Sequence, residues 1–253
     1  MISTLLALTL SLLVLTPVAA PAQSPGAEAE AILEAARIFG EAPYAEIRTE
    51  LQVQEQSRRR SRTVSLLYAE EAPERRFVFA QVVEPPFLSN MRFLMRQESL
   101  EETRLWLSTS RGVRELSGTG DNERLFGSDF TMTELLGFPG GGYAPEYLGT
   151  EMVEGYETEV VRGRLRDPES AYDSFVLRKD AETDIIIWIE FFRQNRLTKE
   201  YRLLELDTAA GLPYTRRARM ETYSAESHTE MTVEAISFPE LIPEVQFRTG
   251  ALE

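Results

Sequence analysis

The fold of this chain is constrained most by a two-residue hydrophobic period that recurs in successive short runs. In the first run, residues 47–53, apolar or β-branched residues alternate with charged or amide residues. Because the side chains of a strand point alternately to its two faces, this period is typical of strands with one buried face. Similar runs follow at residues 62–69, 75–83, 90–98, 103–109, 112–117, 146–153, 157–165, 173–180, 184–193, 197–206, 213–223 and 228–237.

Turn-forming segments separate these runs, as at residues 84–86, 118–122 and 209–211. Strands at intervals of about ten residues predict a mainly β protein built as an antiparallel sheet, a barrel or a sandwich. The strands do not alternate with helices, and this argues against a parallel nucleotide-binding sheet.

Ahead of the strands, residues 27–39 are rich in strong helix formers and predict one helix. Gly40 and Pro43 end the segment. A helix with a narrow apolar face must pack against a larger element. Its apolar stripe, at positions i, i+3, i+4 and i+7, consists of Ile32, Ala35, Ala36 and Phe39.

The charge and the reactive side chains of the 253-residue chain exclude several classes of function. The chain has 41 Asp and Glu against 27 Lys and Arg, a net charge of −14. This charge disfavours binding to nucleic acid or to an anionic membrane surface through bulk electrostatics. With no cysteine and a single histidine, His228, the chain has no disulfides, thiolate sites or two-histidine metal sites. We expect no metal and no cofactor.

The first 22 residues have the pattern of an export signal. Residues 5–15 form a nearly unbroken apolar run, which is shorter than the ~20 residues of a transmembrane helix. Pro17 ends the run, and small residues lead up to Ala22, after which we expect cleavage. No Lys or Arg precedes the run, so a buried helix of the mature domain is the alternative. We expect one domain at residues 23–253, periplasmic and monomeric.

One face of the predicted sheet is unusually apolar. In the run at 184–193, for example, Ile185, Ile187, Ile189 and Phe191 all fall on one side. Such a face must be covered by helices, a second sheet or a ligand. Because few helices are predicted, we expect part of the face to line an apolar cavity, although a filled core gives the same pattern. The candidate lining residues are Met91, Phe93, Met95, Leu105, Leu107, Ile187 and Ile189.

Arginine is concentrated in two runs, at residues 58–62 and 216–219. These runs indicate either an anion-binding patch or a solvated face interleaved with the many Glu residues. The solvated face is the favoured interpretation, because runs of like charge usually lie in water.

The strand pattern stops between residues 118 and 145. Thr131 and Glu134 have the spacing of a capping box, with Asp129 as a competing N-cap, and predict a short helix that stops near Gly137. A short apolar helix between flexible loops is typical of a lid over an apolar cavity, and equally of a barrel plug or a crossover. The candidate lid residues are Phe130, Met132 and Leu135.

Several of these segments together resemble a known family, the LolA-like outer membrane lipoprotein-sorting proteins, which include an uncharacterised spirochaetal lipoprotein. The resemblance covers most of residues 45–252. Its most specific piece is the motif Gly127-Ser128-Asp129-Phe130 ahead of a short helix. It is also carried by Met-Arg-Phe-Leu-Met at 91–95, Leu-Trp-Leu at 105–107 with Arg111 and Arg114, the strand at 185–192, Leu-Thr-Lys-Glu at 197–200, Phe247 and Leu252.

The resemblance implies a fold and a function. The fold would be a single antiparallel sheet rolled into an unclosed barrel, with helices over an apolar concavity. The function would be binding of lipid or lipoprotein acyl chains for transfer towards the outer membrane, in some members beside an RND-type inner-membrane transporter. This chain lacks the lipidation cysteine of its lipoprotein relatives, and this favours a free carrier. The resemblance implies no catalytic residue.

Two other functions stay open at this point. A lipid hydrolase needs an activated nucleophile, and the sequence offers Ser128 with His228 as its base. The chain has no Gly-x-Ser-x-Gly motif, and a lone histidine on a strand is more often structural or solvated than catalytic. A protein-interaction module without lipid would instead use the exposed edges of the sheet.

Overall fold

The computed structural model of the chain describes residues 25–72, 75–99, 102–116, 124–131, 134, 143–166 and 172–253. Within these residues one α-helix, α1 (Pro25–Ala35), precedes thirteen strands. The predicted export signal lies outside the described residues. The strands are β1 (Tyr44–Glu55), β2 (Arg58–Ala72), β3 (Arg75–Glu84), β4 (Arg92–Gln97), β5 (Thr103–Thr109), β6 (Gly112–Leu116), β7 (Tyr143–Val153), β8 (Tyr156–Leu165), β9 (Ser174–Asp180), β10 (Ile186–Arg193), β11 (Arg196–Ala209), β12 (Leu212–Thr222) and β13 (Ser227–Ser237).

All the described strands belong to one antiparallel sheet, in the order β6-β5-β4-β3-β2-β1-β13-β12-β11-β10-β9-β8-β7. Neighbours in the sheet are also neighbours in sequence, except that β1 pairs with β13 at its centre. The edge strands β6 and β7 are consecutive in sequence but lie at opposite ends of the sheet. The chain between Leu116 and Tyr143 therefore crosses from one edge to the other. The predicted fold class, a single unclosed antiparallel sheet, is confirmed.

The sheet curls around one main apolar core. Leu116 on one edge strand and Tyr143 on the other belong to the same buried cluster, together with Phe175 of β9 and Val78 of β3. Two edges can share a core only if the sheet bends round it, so the inner face is concave. We call this inner surface the concave face.

The helix α1 covers part of the concave face, but it ends earlier than predicted. Its buried stripe includes Leu33 where we expected Ala35, and consists of Ala29, Ile32 and Leu33; Ala36, the residue after the helix, is also buried. Beyond the helix, the Arg37 N–H donates to the Asp184 carbonyl and the Arg37 carbonyl accepts from Ile186 N–H, both at 2.9 Å. This pairing with the start of β10 satisfies backbone groups that a longer helix would have used.

A second apolar cluster, not predicted, lies on the outer face of β3, β4 and β5. Phe77, Leu94 and Trp106 are buried there beneath the C-terminal segment, which contributes Phe247 and Leu252. The rings of Phe77 and Phe247 are 5.8 Å apart. This half of the sheet is therefore buried on both faces.

Elsewhere the outer face is covered by ion pairs. In the run at 216–219, Arg216 lies 3.2 Å from Asp207, and Arg217 and Arg219 both pair with Glu230. The solvated-face interpretation is confirmed for this run. In the part of the chain that the structure describes, no helix is both long enough and apolar enough to cross a bilayer.

Candidate functional site

The concave face brings together most of the predicted lining residues. Phe93, Met95, Leu105 and Ile189 are buried members of the main core. Met91 and Leu107 are only partly buried and pack against the edge of that core. These six side chains come from β4, β5, β10 and the residue before β4, and so join both halves of the sheet in one apolar surface.

Ile187 is an exception, and its predicted placement beside Ile189 is wrong. The pairing of β10 with β9 jumps from Ile186–Lys179 to Trp188–Arg178, and Ile187 is the extra residue of a β-bulge. The bulge breaks the two-residue alternation. Ile187 packs instead with Ile185 and Leu203 in a separate small cluster.

The crossing segment, residues 124–131 with Glu134, is attached to the concave face. Leu125, Phe126 and Phe130 are buried in the main core. The ring of Phe130 lies edge-on to Tyr201 of β11, with centroids 6.4 Å apart. The predicted lid residue Phe130 therefore points into the core. The other two, Met132 and Leu135, lie outside the described residues.

Asp129 fixes the crossing segment to β13 through buried hydrogen bonds. Its carboxylate accepts from the Ser227 hydroxyl at 2.5 Å and from the Thr229 hydroxyl at 2.7 Å. The Thr229 hydroxyl also accepts from the Asp129 N–H at 2.8 Å. Arg124 pairs with the same carboxylate at 3.3 Å. Each oxygen of the buried carboxylate thus has a donor, which burial of an ionised group requires.

Glu134 makes a second attachment, to β11. Its carboxylate lies 2.5 and 2.8 Å from Lys199 Nζ and accepts from the Tyr172 hydroxyl at 2.7 Å. Glu134 also closes the predicted capping box, since Thr131 N–H donates to its carboxylate and Glu134 N–H donates to the Thr131 hydroxyl. The hydrogen bonds of the capping box are confirmed.

The catalytic pair of the hydrolase alternative is not assembled. The Ser128 hydroxyl bonds to the backbone of Phe130 in its own turn. Ser227 and Thr229 point to Asp129 on the concave face, so His228 between them points to the outer face. Among the described residues, acidic and histidine side chains do not group in threes that would hold a metal ion.

Sequence reasoning missed the strand residues that hold the crossing segment in place. Lys199 occupies an inward position of β11, two residues before the buried Tyr201. A lysine at an inward position of a strand signals a buried acidic partner, and Glu134 is that partner. Ser227 and Thr229 hold equivalent inward positions on β13, but small polar residues there give no distinct signal.

Comparison with known proteins places the chain in a family. A family model whose description reads "Uncharacterized protein" matches residues 76–253. The chain belongs to this family. No curated protein matches the sequence.

Solved structures share the fold. A DUF1329 family protein from Desulfovibrio piger is 14% identical, with a TM-score of 0.79 over 91% of this chain and 100% of that one. A domain described as an outer membrane lipoprotein-sorting protein, from Vibrio parahaemolyticus, is 17% identical, with a TM-score of 0.77 over 88% and 96% of the two chains. A LolA superfamily protein from Nitrosomonas europaea is 18% identical, with a TM-score of 0.69 over 88% and 98%. The fold of the family member described here is LolA-like, as the sequence resemblance predicted.

Proposed function

We propose that the protein is a periplasmic carrier that binds the acyl chains of a lipid or lipoprotein against its concave face. In this proposal residues 1–22 are removed on export and residues 23–253 form the free carrier. Delivery is towards the outer membrane, in association with an RND-type inner-membrane transporter. The description of the Vibrio parahaemolyticus domain as a lipoprotein-sorting protein supports the same class of cargo.

The observation that carries the proposal is how the concave face is covered. Across the described residues this face is apolar from β4 to β10, yet it is covered by α1 and the crossing segment rather than by a second sheet. The crossing segment is held by three buried apolar side chains, Leu125, Phe126 and Phe130, and by polar attachments at Asp129 and Glu134. A single short covering segment has fewer contacts to lose than a second packed sheet has, so it separates from its base at a lower cost in free energy.

Half-buried apolar side chains also contact the main core. Met91, Leu107, Tyr147 and Leu165 pack against the main core without being buried by it. An acyl chain entering beside them gains ~0.8 kcal/mol for each methylene removed from water. Methionine and aromatic side chains adapt to chains of different shape, and the concave face offers Met91 and Met95 for this.

The charge of the protein suits a carrier that shuttles between membranes. Its net charge of −14 keeps it from adhering to anionic lipid surfaces through bulk electrostatics. Cargo transfer then depends on the acyl site and on a specific partner rather than on adsorption.

Lipid binding is tested first on the wild-type protein. Native mass spectrometry of protein purified from the envelope should detect a bound lipid, and delipidated protein should take up a fluorescent fatty acid. Absence of both bound lipid and uptake contradicts the proposal.

A pair of variants then tests the site. Leu107→Lys places a charge at the rim of the concave face and should weaken fatty-acid binding about tenfold, because the charge loses hydration when the chain binds. Val113→Lys is the matched control, since Val113 lies on the neighbouring strand β6 and is 46% exposed. Equal binding by the two variants places the lipid elsewhere.

A further inference from the structure

Three guanidinium groups converge at one end of the concave face. Arg60 and Arg62 are two residues apart on β2, so they project to the same side. Arg62 of β2 pairs with Leu51 of β1, and the next inward residue on β2 is Val64; Leu51 and Val64 both belong to the main core. Arg124, in the crossing segment, lies 3.9 Å from Glu55, which also pairs with Arg60. The arginines therefore stand where the apolar surface ends.

Arg62 is held in place without a counter-ion. Its Nη1 donates to the Phe126 carbonyl. The guanidinium lies against Gly127, where an added Cβ would come within 3.3 Å of Nη1 and 3.7 Å of Nη2. Within the described part of the chain, no carboxylate lies within 4.0 Å of Arg62. Its Nε and Nη2 also have no hydrogen-bond partner there.

The flanking arginines are only partly neutralised. Arg60 pairs with Glu55, while Arg124 lies 3.9 Å from the same Glu55 and 3.3 Å from Asp129. Two carboxylates thus face three guanidiniums. Burial, and then the charges of Arg60 and Arg124, lowers the pKa of Arg62. A bound anion would relieve both the desolvation and the repulsion.

The contrast with the outer face makes this arrangement informative. Several arginines there pair closely with acids, as Arg219 does with Glu230 and Arg202 does with Glu200. A chain with 14 more acids than bases has ample carboxylates to neutralise Arg62. The geometry instead leaves two guanidinium nitrogens of Arg62 without a hydrogen-bond partner among the described residues, beside an apolar surface.

We propose that Arg62, flanked by Arg60 and Arg124, binds the anionic head group of an acyl ligand whose chain lies along the concave face. The inference rests on the proposed carrier function. The planar guanidinium fork matches a carboxylate or phosphate group in a bidentate arrangement. The ligand class is therefore an anionic single-chain or phosphate-bearing lipid, rather than a neutral one.

The test compares two probes that differ only in head-group charge. Delipidated protein is titrated with cis-parinaric acid and with its methyl ester, above pH 7, where the acid is ionised. Because a hydrogen bond to a charged group is worth about a factor of ten or more, the acid should bind about tenfold more tightly than the ester. Added salt should lower the affinity for the acid more than the affinity for the ester.

Variants assign the preference to the site. Arg62→Gln should reduce the affinity for the acid to that for the ester and leave ester binding unchanged, while Arg62→Lys should keep part of the preference. Arg219→Gln, on the outer face, is the matched control and should keep all of it. Ester binding by Arg62→Gln also shows that this variant is folded.

The outcomes separate the two proposals. If acid and ester bind equally, or if Arg62→Gln weakens both alike, the head-group site is wrong and the carrier stands. If neither probe binds to the wild type, the carrier function fails and this site fails with it. A third arm uses inorganic phosphate as a competitor. The lipid assignment is overturned if inorganic phosphate binds with an affinity equal to that of the acid and Arg62→Gln abolishes this binding. The arginines would then be a site for a free anion.

Discussion

Lys199 Nζ lies 2.5 Å from Glu134 Oε2, and the two side chains are 7% and 3% exposed. The pair joins the crossing segment to β11 inside the concave face. A buried ion pair adds little compared with apolar residues, but removing one member leaves an uncompensated charge and costs about 3–5 kcal/mol. The pair therefore specifies where the crossing segment sits.

We expect Lys199→Met to lower the free energy of unfolding by about 3–5 kcal/mol, because it leaves the Glu134 carboxylate buried without its cation. The double variant Lys199→Met/Glu134→Gln should recover most of this loss. Urea denaturation followed by circular dichroism measures both.

The exposed pair of Arg164 with Glu146, 64% and 51% exposed, provides the control for this prediction. Arg164→Gln should leave the urea midpoint unchanged, since exposed pairs contribute little. A Lys199→Met variant as stable as the Arg164→Gln variant would show that the charge is not buried in solution.

The attachment of Asp129 to β13 predicts a local change in dynamics. Asp129→Ala leaves the Ser227 hydroxyl without its acceptor, and each buried polar group left unpaired costs about 1–3 kcal/mol. Amide hydrogen exchange of residues 124–131 should accelerate more than that of β1. Ser128→Ala should change exchange less, because its hydroxyl bonds only within its own turn. Equal exchange in the two variants would contradict this role of Asp129.

The hydrophobic period of the sequence specified the strands and the concave face, because both follow from alternation along single segments. The capping box was also visible, since its two residues are three apart. Ile187 could not be placed, because a one-residue bulge leaves no mark on the pattern yet reverses which face a side chain occupies. The pairing of Lys199 with Glu134 joins residues 65 positions apart, a relationship that no local pattern contains.

The second apolar cluster, on the outer face of β3, β4 and β5, is also indicated by the sequence, although not by alternation. Residues 93–95 and 105–107 are apolar without interruption, which is typical of strands buried on both faces.

Phe247→Ala opens this core beneath the C-terminal segment and should cost about 3–5 kcal/mol. The emission of Trp106, which is 9% exposed, should shift to the red. Unchanged stability and emission would show that the C-terminal segment does not cover β3 to β5.

Acid should destabilise the protein in part through Glu230 on the outer face. A hydrogen bond from Arg219, followed by the charges of Arg219, Arg217 and His228, lowers the pKa of Glu230 below 4.5. A group with a lowered folded-state pKa stabilises the protein above its unfolded pKa, and this contribution is lost as pH falls through the folded pKa. The urea concentration at the unfolding midpoint should therefore decrease as the pH is lowered from about 5 to about 3. Glu230→Gln should show a shallower decline, and an identical decline would remove Glu230 as a contributor.

Gly127 of the family motif combines a positive φ of 72° with the close approach of Arg62. Gly127→Ala should cost about 1–2 kcal/mol for the left-handed backbone, and its Cβ should also displace the guanidinium. Gly211→Ala is the matched control, because Gly211 has a φ of 82° and open space around it. Both variants should lose similar stability, but only Gly127→Ala should lose the preference for cis-parinaric acid over its ester. If Gly127→Ala keeps that preference, the position of the Arg62 guanidinium does not depend on the glycine.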